Sequence, residues 1–228
     1  MTALVRGKLL TPVFFDRDPR HVARELLGKL LIRKTAGGPL AGRIVETEAY
    51  LGKGDLAAHS AAGRTARNSV VFGPPGHAYV YFIYGNHYCL NVSCLPLGEP
   101  GGVLFRALEP VAGIEEMAAA RDLNFSEDYF SAAGKAAKIA FLKKIASGPG
   151  RLCEAFGITR ERDNGKSLMG ARSDLRIVDD GHRCGRITVT PRIGIVQSAD
   201  HPLRYLIAGN PFVSGPKRGN SLPAKVSR

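Results

Sequence analysis

The stretch HAYVYFIYGNHYCLNVSC, residues 77–94, constrains the fold of this chain more than any other. It is dense in aromatic and β-branched residues, which favour extended backbone and suit a pleated, half-buried surface. Gly85-Asn86, near the middle, is a signal for a tight turn between two strands. The pattern therefore predicts an antiparallel hairpin.

A helix is predicted for residues 20–27, because Asp18 can cap it, Pro19 suits the first helical position and Gly28 can end it. Further helices are predicted for residues 113–121, 135–144 and 151–156. Further strands are predicted for residues 29–34, 40–50, 102–108, 186–195 and 203–208. Residues 51–76 and 159–185 show no steady period and are predicted to be mostly irregular. These elements predict a single α+β domain, with a mainly antiparallel curved β-sheet and flanking helices.

The charge of the chain points to a polyanionic partner. Its 32 basic and 20 acidic residues give a net charge of +12. Residues 71–120 hold one basic and four acidic residues, so the excess lies in the two flanks. A basic rim around an apolar centre favours an enzyme that acts on nucleic acid, and a basic surface kept for solubility is the plain alternative.

The strand RIVETEAYLG, residues 43–52, carries carboxylates and an aromatic ring on one face. Glu46, Glu48 and Tyr50 point the same way, since alternate residues of a strand share a face. A ring that stacks on a planar base, beside a carboxylate that activates water, is what a base-handling site needs. Taken alone, the strand is better explained as an edge strand with a solvated acidic face.

Tyrosines recur in the central hairpin. Tyr79 and Tyr81 share one strand face, where half-buried core is the ordinary interpretation of such rings. Tyr84 stands beside Gly85, and a turn there can lift the ring off the body of the protein. A ring presented in this way could enter a duplex as a wedge.

Two polar residues lie in strands predicted to be buried. The amide of Asn91 must find partners there. Arg106 is the one basic residue between positions 71 and 120, and burying it is costly unless it meets an anion. Glu48 is the natural candidate, so we expect an ion pair or a water-mediated link between Glu48 and Arg106.

The loop that follows residue 51 holds further polar candidates. His59 stands in it, and Arg64, Arg67 and Asn68 come soon afterwards. Arg64, Arg67 and Asn68 fit phosphate contacts, and a solvated loop explains them equally well, whereas a lone loop histidine such as His59 is usually only solvated. The next basic pair along the chain that could contact phosphates is Lys143-Lys144.

Motifs for metals and cofactors are absent from the sequence. There is no Walker loop, no GxGxxG after a strand, no HExxH, no paired CxxC and no zinc-deaminase signature. The four cysteines match no zinc spacing, so reduced thiols are expected. These absences disfavour a metal or a nucleotide cofactor and favour water activated by side chains alone. No signal peptide or membrane span is visible either.

The sequence closely resembles the alkyladenine DNA glycosylases, also called 3-methyladenine or methylpurine DNA glycosylases. The resemblance covers about residues 10–214. The matching blocks, in order, are VARELLG (22–28), RIVETEAYLG (43–52), AAHS (57–60), RN (67–68), YVYFIYGNHYCLNVS (79–93), VLFRALEP (103–110), SGPGRLCEAFGI (147–158), PRIGI (191–195) and PLRYLIAGNPFVS (202–214). Residues 122–146 and 159–185 match poorly, and the family's Pro-Trp pair is replaced here by Pro211-Phe212.

The resemblance implies a monofunctional DNA glycosylase of base excision repair. Such an enzyme flips alkylated or deaminated purines out of duplex DNA and hydrolyses the N-glycosidic bond with water, without metal or cofactor. Glu48 would be the general base, Arg106 would hold Glu48 and the water, and Tyr84 would fill the gap in the duplex. The base pocket would be formed by Tyr50, His59, Tyr81 and Asn91, of which Asn91 would disfavour guanine.

Two other functions remain open at this point. One is a binding module that senses damage without cutting, and the other is an N-ribosyl hydrolase acting on free nucleosides. We expect a catalytic domain over residues 1–213 and a flexible basic tail over residues 214–228. We also expect a monomer, without membrane association, in the cytoplasm and on the nucleoid of a bacterium.

Overall fold

One curled sheet organises the protein in the computed structural model, which describes residues 7–215. Every strand pairing in this range is antiparallel. The strands are β1 (Lys8–Leu9), β2 (Leu30–Lys34), β3 (Pro39–Tyr50), β4 (Ala78–Ile83), β5 (His87–Ser93), β6 (Gly102–Ala112), β7 (Leu175–Asp179), β8 (Ile187–Thr190) and β9 (Arg204–Ile207). The helices are α1 (Pro12–Phe15), α2 (Pro19–Leu26), α3 (Ile114–Ala119), α4 (Glu127–Ala132), α5 (Lys135–Ala146), α6 (Pro149–Ala155) and α7 (Arg160–Asp163).

The long strand β3 is the axis of the sheet. The order is β1-β7-β2-β3-β6-β5-β4, and β9 adds to β3 as well. β2 pairs with the first half of β3, whereas β9 pairs with residues 46–48 of the second half. The register of β3 against β6 shifts on both sides of Glu46, and such irregularities bend a strand. The second half of β3 is therefore enclosed by β6 on one edge and β9 on the other.

The two faces of the sheet are built from alternate residues. One face carries the main core, in which Val80, Leu90 and Phe105 pack with α2, α3, the end of α5 and α6. The opposite face carries a smaller cluster made of Val71, Tyr79, Tyr81, Cys89 and Leu104. The alternation of side chains along each strand thus gives the sheet one face that packs against the helices and an opposite face that can carry a site.

The predicted α+β class and the predicted helix at residues 20–27 are confirmed. The Asp18 carboxylate accepts a hydrogen bond from the Arg20 amide at 2.8 Å, and Pro19 is the first helical residue. Gly28 follows the helix with a φ of +87°, a conformation that glycine adopts without strain. Both predicted hairpins are present as β2-β3 and β4-β5.

Several predicted boundaries were wrong. Residues 159–185 are mostly irregular, as predicted, but the α7 and β7 that they contain were not predicted. In β7 the adjacent apolar residues Ile177 and Val178 break the alternation, so no clear period of two marks the strand. The strand predicted for residues 186–195 ends at Thr190, because Pro191 has no N–H with which to continue a ladder. Helix α4 was not predicted.

The described chain ends in a buried position. Ser214 is 6% exposed, and its amide donates to the Glu46 carboxylate at 2.5 Å. The ordered packing therefore extends at least to this residue. Most of the tail predicted for residues 214–228 lies outside the described residues.

Candidate active site

A cavity of about 750 Å³ opens on the face of the sheet opposite the helix-covered core. β4, β5 and β6 supply its floor, and further parts of its lining come from residues 57–60, 147–151 and 193–195. Of the predicted site residues, Tyr50, His59, Tyr81, Tyr84, Asn91 and Arg106 line this cavity. The structure thus brings together side chains that are up to 56 positions apart in the sequence.

Glu48 lies directly behind the wall of this cavity. Its Oε1 accepts a hydrogen bond from the Ile193 amide at 2.8 Å and lies 3.2 Å from Nη1 of Arg106. Its Oε2 accepts from the Tyr50 hydroxyl at 3.1 Å. The predicted ion pair between Glu48 and Arg106 is confirmed. A carboxylate offers about four acceptor positions, so these three partners leave roughly one for a further donor.

The Glu48 side chain is fully buried. Its three partners, Tyr50, Arg106 and Ile193, all line the cavity and stand between the carboxylate and the open space. A water molecule therefore reaches Glu48 only when Arg106 or the backbone at Ile193 shifts slightly. The sequence pattern placed Glu48 on the same strand face as Tyr50. It did not indicate that Arg106 and the Ile193 backbone cover the carboxylate.

Glu46 is a second buried carboxylate in the same network. Its Oε1 accepts from Nε of Arg106 at 3.0 Å and from Nε of Arg204 at 2.6 Å. Arg106 therefore bridges Glu46 and Glu48, and the two carboxylates raise its pKa although burial acts in the opposite direction. Glu46 was placed on the face of Glu48 by strand period, but Arg204 is 158 residues away from it and no local signal links them.

Arg192 is a further residue that the sequence analysis missed. It is 5% exposed, donates to both oxygens of Asp55 at 2.7 and 2.8 Å, and donates to the Ala49 carbonyl at 3.0 Å. Its guanidinium carbon lies 4.6 Å from the centre of the Tyr50 ring. Burial and the charge of Glu48 raise the pKa of Tyr50, so its hydroxyl stays protonated and donates to Glu48. Arg192 therefore packs against the Tyr50 ring and restricts its position.

Three rings meet on another side of the cavity. The centres of the His59 and Tyr81 rings are 4.4 Å apart at an angle of 72°, and Nδ1 of His59 is hydrogen-bonded to the Tyr79 hydroxyl at 2.9 Å. Burial and the charge of Arg67 lower the pKa of His59, which favours the neutral imidazole. A flat aromatic guest could stack in the space that these rings border.

Asn91 presents one polar group on the cavity floor. It is 6% exposed, and its Nδ2 donates to the Tyr79 carbonyl of the neighbouring strand at 3.3 Å. This bond fixes the orientation of the amide. Its position can therefore discriminate between the edges of two similar guests.

Tyr84 stands at the tip of the β4-β5 hairpin and is 81% exposed. The predicted turn is present over residues 84–86, and Tyr84 and Gly85 are its pair with positive φ, at +56° and +74°. Positive φ costs a non-glycine residue about 1–2 kcal/mol. The hairpin thus holds an exposed aromatic ring in an unfavourable backbone conformation at the mouth of the cavity.

The predicted phosphate contacts separate into two groups. Arg64 and Arg67 are exposed on the loop beside the cavity, and Lys143 and Lys144 occupy the last turn of α5, just before residues 147–151. Asn68, in contrast, is 2% exposed, and its amide binds the backbone at Thr65, His59 and Gly63. Asn68 therefore holds the loop in shape, and a phosphate contact is the wrong role for it.

Residues 7–215 contain no group of three or more His, Cys, Asp or Glu side chains arranged to hold a metal ion. The four cysteines are free thiols. In the same range, no helix is long and apolar enough to cross a membrane.

A half-open cavity with rings on its walls, one oriented amide and a carboxylate held by arginine has the features of an enzyme site that suits a flat heterocycle. A family model for methylpurine-DNA glycosylase (MPG) matches residues 13–211. The chain belongs to the methylpurine-DNA glycosylase family. It is accordingly a DNA glycosylase, a hydrolase of N-glycosyl bonds with a function in DNA repair, and its substrate is DNA.

Individual relatives agree with the family match. A protein of Koribacter versatilis is 63% identical over 206 residues, which cover 90% of this chain and 93% of that protein. A Burkholderia lata protein is 44% identical over 211 residues, with coverage of 92% and 93%. A Bacillus cereus protein is 43% identical over 210 residues, with coverage of 89% and 97%. All three carry the name "Putative 3-methyladenine DNA glycosylase".

Proposed function

We propose that this protein extrudes alkylated or deaminated purines from duplex DNA and hydrolyses the glycosidic bond with an activated water molecule. The product is an abasic site, which base excision repair then processes. The observation that carries the proposal is the Glu48–Arg106 ion pair at the wall of a cavity lined with aromatic rings. Extrusion is required because the target bond of a stacked base is out of reach of a buried carboxylate.

Glu48 acts as the general base in this proposal. It takes a proton from water as the water attacks the anomeric carbon of the sugar, and the purine departs with the electrons of the glycosidic bond. Arg106 holds the carboxylate and the water, and the hydroxyl of Tyr50 fixes the second oxygen of Glu48. A positioned general base contributes about 10²–10⁴-fold to such a step.

The rings of Tyr50, His59 and Tyr81 stack on the extruded purine, and the backbone amide near His59 helps to read its edge. Asn91 excludes guanine through a clash with its exocyclic amino group. Because a cationic alkylated purine is already a good leaving group, it needs no proton from the protein. A neutral purine does need one, and the lowered pKa of His59 makes the imidazole a poor donor.

The two alternatives fit the site less well. A module that only senses damage has no use for a buried carboxylate bridged to arginine, since burying such a pair is costly. A hydrolase of free nucleosides has no use for a strained, exposed ring at the cavity mouth or for a net charge of +12.

The proposal is tested by single-turnover base release from duplexes that carry one 7-methylguanine, hypoxanthine or ethenoadenine. We expect the wild-type protein to release at least one of these bases and to leave an abasic site. A failure to release any lesion, together with tight lesion binding, would instead support the sensing module.

Tyr84→Ala should reduce base release from a duplex by about tenfold or more, because filling the gap offsets part of an extrusion cost of a few kcal/mol. Affinity for undamaged duplex should change far less. Phe82→Ala is the matched control, since Phe82 lies on the same hairpin, is 46% exposed and does not line the cavity. Equal losses of base release and of non-specific affinity would contradict the wedge role.

The phosphate contacts assigned to Arg64, Arg67, Lys143 and Lys144 belong to the same proposal, because backbone contacts position a protein on DNA without reading its sequence. Enclosing one extruded base requires no second subunit. We therefore also propose a monomer that works in the cytoplasm and, in a bacterium, on the nucleoid.

A further inference from the structure

The loop of residues 191–200 forms part of the cavity wall and continues beyond it. Ile193, Gly194 and Ile195 line the cavity, and Val196 comes next in the chain. Val196 is 93% exposed and Tyr84 is 81% exposed, which makes them the two most exposed large apolar side chains within residues 7–215. Single exposed apolar residues are common on protein surfaces. Here, however, both extremes belong to segments that border the same cavity.

The base of this loop is held rigidly. Arg192 is buried in its ion pair with Asp55 and donates to the Ala49 carbonyl, and the Ile193 amide donates to Glu48. Further along, Nη2 of Arg192 reaches the Ser198 carbonyl at 3.5 Å, and Ser198 has a φ of +52°. Because the hydrogen bonds of Arg192 fix the start of the loop and contact Ser198 near its end, the position of Val196 between them is restricted.

The basic side chains around the cavity that this loop borders point to DNA as the partner of its tip. The cavity mouth is bordered by basic side chains, with Arg151 in its lining and Arg64 and Arg67 exposed on the neighbouring loop. Glu48 is fully buried and presents no charge at the surface, and Asp200 is the one acidic residue within residues 191–200. An apolar tip in such a rim suits the sugars and base edges of a groove.

We propose that Val196 is a second apolar contact with the duplex, placed beside the nucleotide that leaves the stack, in addition to Tyr84. The inference rests on the proposed function and adds a residue and an element to it. Because the loop also covers Glu48 through the Ile193 amide, engagement of Val196 by DNA adjusts the same backbone that stands between Glu48 and the cavity. The contact therefore influences base release as well as affinity.

The test compares Val196→Asp and Val196→Ile with the wild type in single-turnover base release and in duplex affinity. Val196→Asp sets a carboxylate against the DNA and should lower base release by about tenfold or more, whereas Val196→Ile should keep it. Val13→Asp is the matched control, because Val13 is 76% exposed in α1 and does not line the cavity. Thermal unfolding midpoints verify that each variant is folded.

Three outcomes overturn the inference: wild-type release by Val196→Asp, equal losses in Val196→Asp and Val13→Asp, or a loss in Val196→Ile as large as that in Val196→Asp. If the wild-type protein releases no base, the proposed function has failed instead. The duplex affinities of the same variants then still decide whether Val196 contacts DNA.

Discussion

Base release should fall by about a thousandfold when Glu48 is replaced by glutamine, within the range that one positioned general base contributes. The amide keeps the shape of the side chain and still accepts hydrogen bonds from Ile193 and Arg106. It cannot take a proton from water, however, and it removes the negative charge that faces the guanidinium. Lesion-containing duplex should bind with nearly unchanged affinity, because Glu48 has no surface exposed to a ligand.

The measurement is single-turnover release of the best lesion found for the wild type, with affinity determined on the same duplex. Glu99→Gln is the matched control, because it removes the same charge from an exposed loop outside the cavity lining. Release by Glu48→Gln at the wild-type rate would exclude Glu48 as the general base. A parallel loss of lesion binding would show that the substitution had disturbed the pocket.

Much of the sheet could be predicted from the sequence because its determinants are local. The β2-β3 and β4-β5 hairpins have short connections, and the capping of α2 depends on adjacent residues. β7 was missed because a strand of five residues whose partners are β1 and β2 has no local partner to reveal it. The positive φ of Tyr84 in the predicted turn could not be foreseen, because a tyrosine in that conformation contradicts ordinary turn preferences.

The part of the site that could be predicted is the part set by the alternation of side chains along a strand. That period placed Glu46, Glu48 and Tyr50 on one face, and the rarity of charge near Arg106 pointed to an anionic partner. The cover over Glu48 and the bracing by Arg192 and Arg204 depend on contacts across more than 130 residues, which a single sequence does not encode locally. The family resemblance supplied roles for residues but not this network.

The segment missed by the sequence analysis also supports the pocket. Residues 163–168 run along the free edge of β4, where the Ala78 amide donates to the Lys166 carbonyl and the Val80 amide donates to the Asn164 side chain. β4 carries Tyr79 between these two bonded residues, Tyr81 directly after them and Tyr84 directly after its own end. The interactions that hold residues 163–168 in place therefore also position β4 and its tyrosine rings in the cavity.

The anchor is a buried ion pair, and breaking it should destabilise the whole protein. Arg33 donates to both oxygens of Asp163 at 2.9 and 2.6 Å, and both side chains are fully buried. Asp163→Ala leaves the Arg33 charge buried with a weaker partner in Asp174, which is one-third exposed. Removing one member of such a pair costs about 3–5 kcal/mol, because the remaining charge loses its compensation.

Chemical denaturation should therefore show a loss of about 3–5 kcal/mol for Asp163→Ala, and a melting midpoint lower by about 10 °C. Glu161→Ala is the control on the same helix, since this side chain is exposed and should change stability by less than about 0.5 kcal/mol. Combining Asp163→Leu with Arg33→Met should recover much of the loss, because an apolar pair leaves no buried charge. If Asp163→Ala were as stable as Glu161→Ala, the ion pair would not be the anchor, and the position of β4 would depend on its backbone bonds alone.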